Sequence, residues 1–406
     1  MDMAEATEKK PIWEYVSLAD YQVPTDTVKR TVSTRLLGFA RKLGLKKAAK
    51  EPEHPPDDLK PLERRRLDRA APVPSWRDAA GALNETVTEA LSDHASSQSA
   101  ALVGAPFSGH AETLSVLAET AGWRLIAPPG PEQVLAGDAR WIDTFAQGSA
   151  PWAMPMLERC FLRHAKGLDL IRRLLEAYVA GRLGRGVLGC GSWGWSFLQK
   201  ACAETDAIQA VTSQALDARR LRRWFSDLAC RNHPEGSLRF RLAGQEGDLL
   251  VPGDPATDDE APTDRFFTHL AAHGRGIPGV AWSVWRRGLR QDNPDVSRET
   301  SVSKHAANAP VIRVLPWNAL ELPSLPSVER PCGAFLLHAL LVHNGLPEAI
   351  LPELLAHGKG RITQMLVQLR SADIIEYRNK RWWITPLAYP AVRAFLRAEN
   401  YLTDSM

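Results

Sequence analysis

Cysteine is scarce in this 406-residue chain: there are five, at positions 160, 190, 202, 230 and 332, with no CxxC pair. Cys160 with His164 and Cys230 with His233 have ligand-like local spacing but lie far apart and match no common zinc module. A disulfide scaffold and a zinc site are both disfavoured. Long apolar runs are missing too. The best, Ala334 to Val342, contains His338 and falls short of the roughly 18 residues that a spanning helix needs. The opening residues mix Asp, Glu and Lys instead of forming a secretory leader, so the expected compartment is the cytoplasm. There is no strict repeat and little excess of one charge, the net being +3, and collagenous, fibrous and wholly disordered classes are excluded. What is present, 44% hydrophobic and 24% charged residues, supplies real cores for roughly two to four domains.

Charge is unevenly placed. Residues 28–70 hold 13 Lys/Arg against 6 Asp/Glu, a basic arm on a near-neutral body. Within it Val28, Val32, Leu36, Phe39 and Leu43 recur at helical steps, with Lys29, Arg30, Arg35, Arg41, Lys42, Lys46 and Lys47 between them. Such a basic amphipathic helix at residues 28–50 suits an acidic protein, a nucleic-acid backbone or an anionic membrane surface. Alternatively it packs on its own protein with a solvated charged face. Residues 51–75, rich in proline and charge, read as a linker.

From Ser75 the texture changes. Ser75 caps a predicted helix through Leu91; the apolar run Ala100–Val103 is a strand, and His110–Ala121 has helical period. Trp123–Ala127 is a second strand. Met154–Ala180 reads as one long helix, Gly186–Cys190 as a strand, Trp193–Leu198 as a helix, Ile208–Val211 as a strand and Leu216–Ala229 as a helix. Short continuous apolar strands alternating with helices predict an α/β domain over residues 75–232, its parallel sheet covered on both faces.

The segment Gly104-Ala105-Pro106-Phe107-Ser108-Gly109-His110-Ala111 has the glycine spacing of the phosphate loop G-x-x-x-x-G-K-[ST], set between strand and helix. The backbone N–H groups of such a loop, with the positive end of the following helix, hold a polyphosphate. Two side chains depart from the pattern. His110, shorter than lysine and of a type largely uncharged at neutral pH, stands where lysine would reach the outer phosphates; Ala111, with no ligand atom, stands where a hydroxyl would ligate magnesium. The run Val187–Cys190 ends at Gly191-Ser192-Trp193, without the acid that would help to hold the metal. Hydrolysis is therefore expected to be weak or absent, with ATP or ADP as ligand and magnesium not expected. The plain alternative is a strand-to-helix turn with no ligand.

Beyond residue 232, a hairpin is predicted in which Leu238, Phe240 and Leu242 oppose Leu249, Leu250 and Val251. Phe266–Trp282 predicts two helices joined at Gly276-Ile277-Pro278, a junction that ordinary proline capping also explains. Residues 334–345, 347–356 and 360–372 give three helices, and 374–377 and 382–384 two short strands about the turn Arg378-Asn379-Lys380-Arg381. These are the elements of a winged helix. Ile362, Met365, Leu366 and Leu369 form the buried stripe of its third helix. Arg361, Gln364 and Gln368 are left outward, where they could read base edges with Lys359, Lys380 and Arg381 on phosphates; the alternative is an intramolecular clamp or protein-docking unit, since only a few basic residues decorate this module. A last helix is predicted at Pro390–Asn400.

Taken in order, the glycine loop, the degenerate second motif, the helical pair with its G-x-P turn and the winged helix resemble the ATPase core of the AAA+ and STAND superfamilies over residues 75–390. The resemblance implies a P-loop-type core at 75–232, a helical lid with a hairpin insertion at 233–330 and a winged-helix domain at 331–406, after an arm and linker at 1–74. It implies that Gly276, Ile277 and Pro278 lie beside the adenine and ribose, and that Arg286, with Arg287, faces a phosphate. The expected function is a nucleotide-binding regulatory protein that relays nucleotide state to a protein partner or to copies of itself. The alternatives are a DNA-binding regulator with a scaffold core, and an adaptor recruited through residues 28–50.

Overall fold

A computed structural model describes residues 11–24, 59–92, 99–146, 149–231, 238–245, 247–251, 262–293, 311–327, 330, 332–355 and 357–406. The basic helix expected at 28–50 lies outside them. Six strands form the main sheet in the order β1 (Tyr15–Ser17), β7 (Gln209–Ser213), β3 (Ser99–Gly104), β6 (Gly186–Gly191), β5 (Trp152–Met154) and β4 (Arg124–Leu125). Strands β3 to β7 are parallel, and β1 closes one edge antiparallel to β7. Helices Arg77–Ser92 and His110–Ala121 pack Leu83, Val87, Leu114 and Leu117 on one face, and Asp169–Val179 and Ser192–Ala201 cover the other. The α/β expectation holds for the reason the sequence suggested: strands covered on both sides are apolar along their whole length. Gly104 is in register with Gly191, so β3 and β6 finish level, and the crevice beyond their carboxyl ends is where a sheet of this class receives ligands.

Three expectations need correction. The helix over Met154–Ala180 is instead β5, a 3-10 turn at Leu157–Arg159 and a helix only from Asp169 to Val179. The run is interrupted at Gly167, whose carbonyl accepts the Leu162 N–H at 3.0 Å, and the buried residues Trp152, Ala153 and Met154, followed by Pro155, take the sheet position between β4 and β6. The linker is not structureless throughout: β2 (Leu59–Pro61) and a helix at Arg64–Ala70 form within it. Finally, β8 (Arg239–Leu242) forms no ladder with 249–251, and only the Leu249 N–H reaches it, donating to the Phe240 carbonyl at 2.6 Å. It pairs in parallel with β10 (Val311–Val314), in a second sheet ordered β2, β9 (Leu289–Asp292), β10, β8. The pairing with 249–251 stops after that one bond, where the Asp248 carboxylate accepts the Leu250 N–H at 3.1 Å, and Leu249 is buried.

This second sheet, the helix Ala218–Arg231 and the pair Pro262–Gly274 and Pro278–Gly288 enclose a core built on Trp224, Phe225, Phe267 and Trp285. The C-terminal residues form helices Cys332–Val342 and Lys359–Ser371, the hairpin of β11 (Ile375–Arg378) and β12 (Arg381–Ile384), and a helix at Tyr389–Ala398. They share one continuous core with the main sheet, His338 and Tyr389 both meeting Trp193. In the helix Lys359–Ser371 the stripe of Ile362, Met365, Leu366 and Leu369 is buried and Arg361, Gln364 and Gln368 are exposed, as the period predicts. Among the described residues no helix is long and apolar enough to cross a membrane.

Candidate functional site

The glycine loop leaves β3 at Gly104 and enters its helix at His110. It turns tightly, the Ser108 N–H donating to the Ala105 carbonyl at 3.0 Å, with Phe107 (φ 66°) and Gly109 (φ 78°) both left-handed. A Cβ at Gly109 would lie 2.3 Å from the Trp76 indole, and one at Gly104 would lie 2.4 Å from the His110 Cβ and 2.5 Å from the Ser108 Oγ. Both positions thus exclude a side chain, but what approaches them belongs to the chain itself. The Ser108 hydroxyl lies 3.4 Å from His110 Nδ1, and the cavity beside them has room for about one water. In this conformation the inside of the loop is filled by Ser108 and His110.

His110 faces a buried carboxylate. Its Nε2 is 4.0 Å from Oε1 of Glu158, too far for a hydrogen bond, and has no other partner. Glu158 accepts the Gly191 N–H at the end of β6 (3.1 Å) and the Asn344 side-chain amide (3.0 Å), while its carbonyl lies 3.2 Å from Nδ1 of His343. One acid thus joins the loop helix, the β6 terminus and the C-terminal module. The carboxylate missing from the end of β6 arrives from the turn after β5. Splitting the apolar run at Pro155 would have revealed it in the sequence.

The G-x-P turn lies against the same loop. Gly276 (φ 70°) lets its carbonyl accept the Leu216 N–H at 2.9 Å, Ile277 is buried, and Pro278 opens the next helix. The Gly279 N–H donates to the Phe107 carbonyl at 2.9 Å, a contact so close that a Cβ at Gly279 would stand 2.5 Å from that oxygen. The Phe107 ring meets Tyr389 edge-on at 5.7 Å. Residues 104–111 and the turn at 276–279 therefore lie against each other.

Two other expected residues are occupied elsewhere. The Arg286 guanidinium binds the Ala71 carbonyl and the Asp68 carboxylate (2.6 Å to the latter) and lies over Trp282 at 4.7 Å, so protein groups take the place of the expected phosphate. In the nucleic-acid set, Lys359, Arg361 and Gln364 are exposed, and Lys380 sits at the tip of the β11–β12 hairpin. Arg381 instead turns inward and donates to the Gly345 carbonyl at 3.1 Å; burial, reinforced by Arg159, pushes its pKa down to about 10. Among the described residues no cluster of three or more His, Cys, Asp or Glu could hold a metal ion.

The sequence matches no family model and no curated protein. Among solved structures the chain is similar to the RuvB Holliday junction branch migration motor of Thermotoga maritima, at 12% identity over 84% of this chain and 96% of that one, with a TM-score of 0.32. It is similar also to a Walker-type ATPase of Pyrococcus abyssi, at 13% identity over 84% and 99%, with a TM-score of 0.33. Overlaps this loose leave the fold to be defined by the strand order itself.

Proposed function

We propose that the chain is a nucleotide-binding regulatory protein of the P-loop ATPase type, with little or no hydrolysis, that relays nucleotide state to another protein or to a second copy of itself. The observation that carries this reading is the position of the loop, which touches both neighbouring units: Phe107 binds Gly279, and His110 faces the carboxylate that holds Asn344. A phosphate entering the loop displaces the Ser108 hydroxyl and the His110 ring. That disturbs the carboxylate on which Gly191 and Asn344 depend, so the ligand's differential affinity for the two arrangements biases the C-terminal module. With histidine and alanine at the two catalytic positions of the loop, the ligand acts by binding and not by turnover.

Thermal unfolding with ATP or ADP tests this. The melting temperature is expected to climb with ligand concentration, the stabilisation reaching about 2.7 kcal/mol at a hundredfold excess over Kd, without phosphate release and without a need for magnesium. No shift at millimolar nucleotide, with or without magnesium, would defeat the reading.

DNA binding is the second reading, supported by the exposure of Lys359, Arg361 and Gln364 on one helix and of Lys380 at the hairpin tip. It predicts a gel shift on duplex DNA that weakens steeply with salt and is lost in the Lys359→Glu/Lys380→Glu double variant. A shift insensitive to these two charges would exclude this surface.

A further inference from the structure

We propose that the outer face of the second sheet is a docking surface for the sugar–phosphate backbone of duplex DNA, held by Arg239, Arg241, Arg290 and Arg313. Pairing across that sheet sets Arg241 of β8 opposite Arg313 of β10, and Arg313 opposite Arg290 of β9, so three arginines stand in one row over three adjacent strands. Neighbouring strands lie about 4.8 Å apart, and the row spans roughly 10 Å. Phe240, Leu242, Leu289, Ile312 and Val314 are buried in the core, so by the alternation of a strand the arginines take the opposite side. Arg239, one pleat before Arg241, is exposed there. Arg287, exposed at the end of the preceding helix, accepts the Arg290 guanidinium on its carbonyl at 2.8 Å.

Like charges directly opposite on a sheet destabilise it, and a local rule broken without a structural gain is the mark of a functional surface. The neighbouring acids do not make good the row. Asp292 pairs with Arg313 at 3.1 Å, and Glu321 acts on Arg290 through space. Among the described residues no carboxylate pairs with Arg239 or Arg241, and the buried Nε of Arg241 has no hydrogen-bond partner. Arg239, Arg241, Arg287, Arg290 and Arg313 thus outnumber the acids about them.

What the face lacks selects its occupant. Its remaining strand residues are Val311 and, at the β2 edge, Leu59 and Pro61, with no aromatic among them. It therefore offers neither the aromatic centre of a protein interface nor rings on which single-stranded bases stack. It carries no Asn or Gln for base edges and no hydroxyl for the ribose of RNA. What remains is guanidinium, whose planar fork matches phosphate oxygens two at a time. Such a surface holds the backbone and does not read the sequence. It owes nothing to the glycine loop or to the face of Lys359 and Lys380.

Fluorescence anisotropy of the full chain with a labelled DNA duplex of arbitrary sequence, titrated at graded salt, tests the proposal. Binding is expected to weaken steeply as salt rises. Arg239→Gln should weaken it severalfold and lower the salt slope by about one, and Arg239→Glu/Arg287→Glu, both exposed positions, should weaken it about tenfold or more. Asp292→Asn removes the acid beside Arg313 and should tighten binding severalfold, a gain that misfolding does not produce. Lys359→Glu/Lys380→Glu should leave the affinity within about twofold. Loss in that variant, with the arginine variants unchanged, would move the site to the C-terminal module and overturn the proposal. Poly-glutamate bound as tightly as the duplex would make the face a protein dock and overturn it too, as would no binding of the duplex at low salt.

Discussion

Acidification from pH 6.5 to about 4 is expected to unfold the protein, and three buried histidines are the reason. Burial holds His273, His338 and His343 each at about 4, against 6.5 for an exposed histidine, so in this window the unfolded chain binds protons that the folded one refuses. The histidine contribution is complete above pH 6.5 and is lost progressively as pH falls toward 4. The hydrogen bonds give the same sign. Nδ1 of His338 accepts from the Arg163 guanidinium at 3.0 Å, and Nε2 of His343 accepts from the Arg163 N–H at 3.2 Å; protonating either nitrogen breaks its bond and sets a charge beside Arg163. His273 is packed against Trp317 with its Nε2 unpartnered. Each group is worth about 3 kcal/mol at the acid end, so the three together rival the whole stability of a typical domain. Asp404, whose pKa burial raises, opposes the trend, because it favours the folded state at low pH. Urea unfolding across this range checks the expectation: the midpoint should fall steeply, and His343→Gln should remove about a third of the slope. A midpoint that stayed flat from pH 6.5 to 4.5 would show that these rings titrate freely.

Some of this architecture was legible because its signal is local. The strands β3 and β6 are unbroken apolar runs ending in glycine, and the helix Lys359–Ser371 buries every residue of the stripe that its period marks. The second sheet was not legible, because its strands start near residues 59, 239, 289 and 311 and meet only through long-range pairing. Strand β5 is three residues long and runs into further apolar residues that keep a helical period; Pro155 and Gly167 were the signs that no single helix spans them. The same oversight hid Glu158. Composition marked Arg286 and Arg381 as cations, but a charge does not carry the name of its partner, and the tertiary fold gave them Asp68 and Gly345. The two glycines of the loop lie at the passage from strand to helix, yet nothing in their spacing says that Trp76, a residue some thirty positions earlier, closes over one of them.

That closure makes Gly109→Val the most damaging single change expected in the loop. Two separate penalties meet at this position. The backbone is left-handed at φ 78°, which costs an L-residue about 1–2 kcal/mol and a β-branched one more. The new Cβ would also stand 2.3 Å from the Trp76 indole, whose ring is itself packed against Trp13 and Trp224, so it cannot simply retreat; overpacking of that kind adds about 1–3 kcal/mol. Together they predict a loss of about 3–5 kcal/mol, read as a lower urea midpoint with the slope unchanged. The two contributions can be told apart. Trp76→Ala in the Gly109→Val background removes the clash but not the dihedral strain, so the double variant should be less unstable than the two single losses added together. Strict additivity would mean that Trp76 does not lie over Gly109. Stability within about 1 kcal/mol of the parent would mean that the loop does not take this conformation, and the filled cradle at Ser108 and His110 would fall with it.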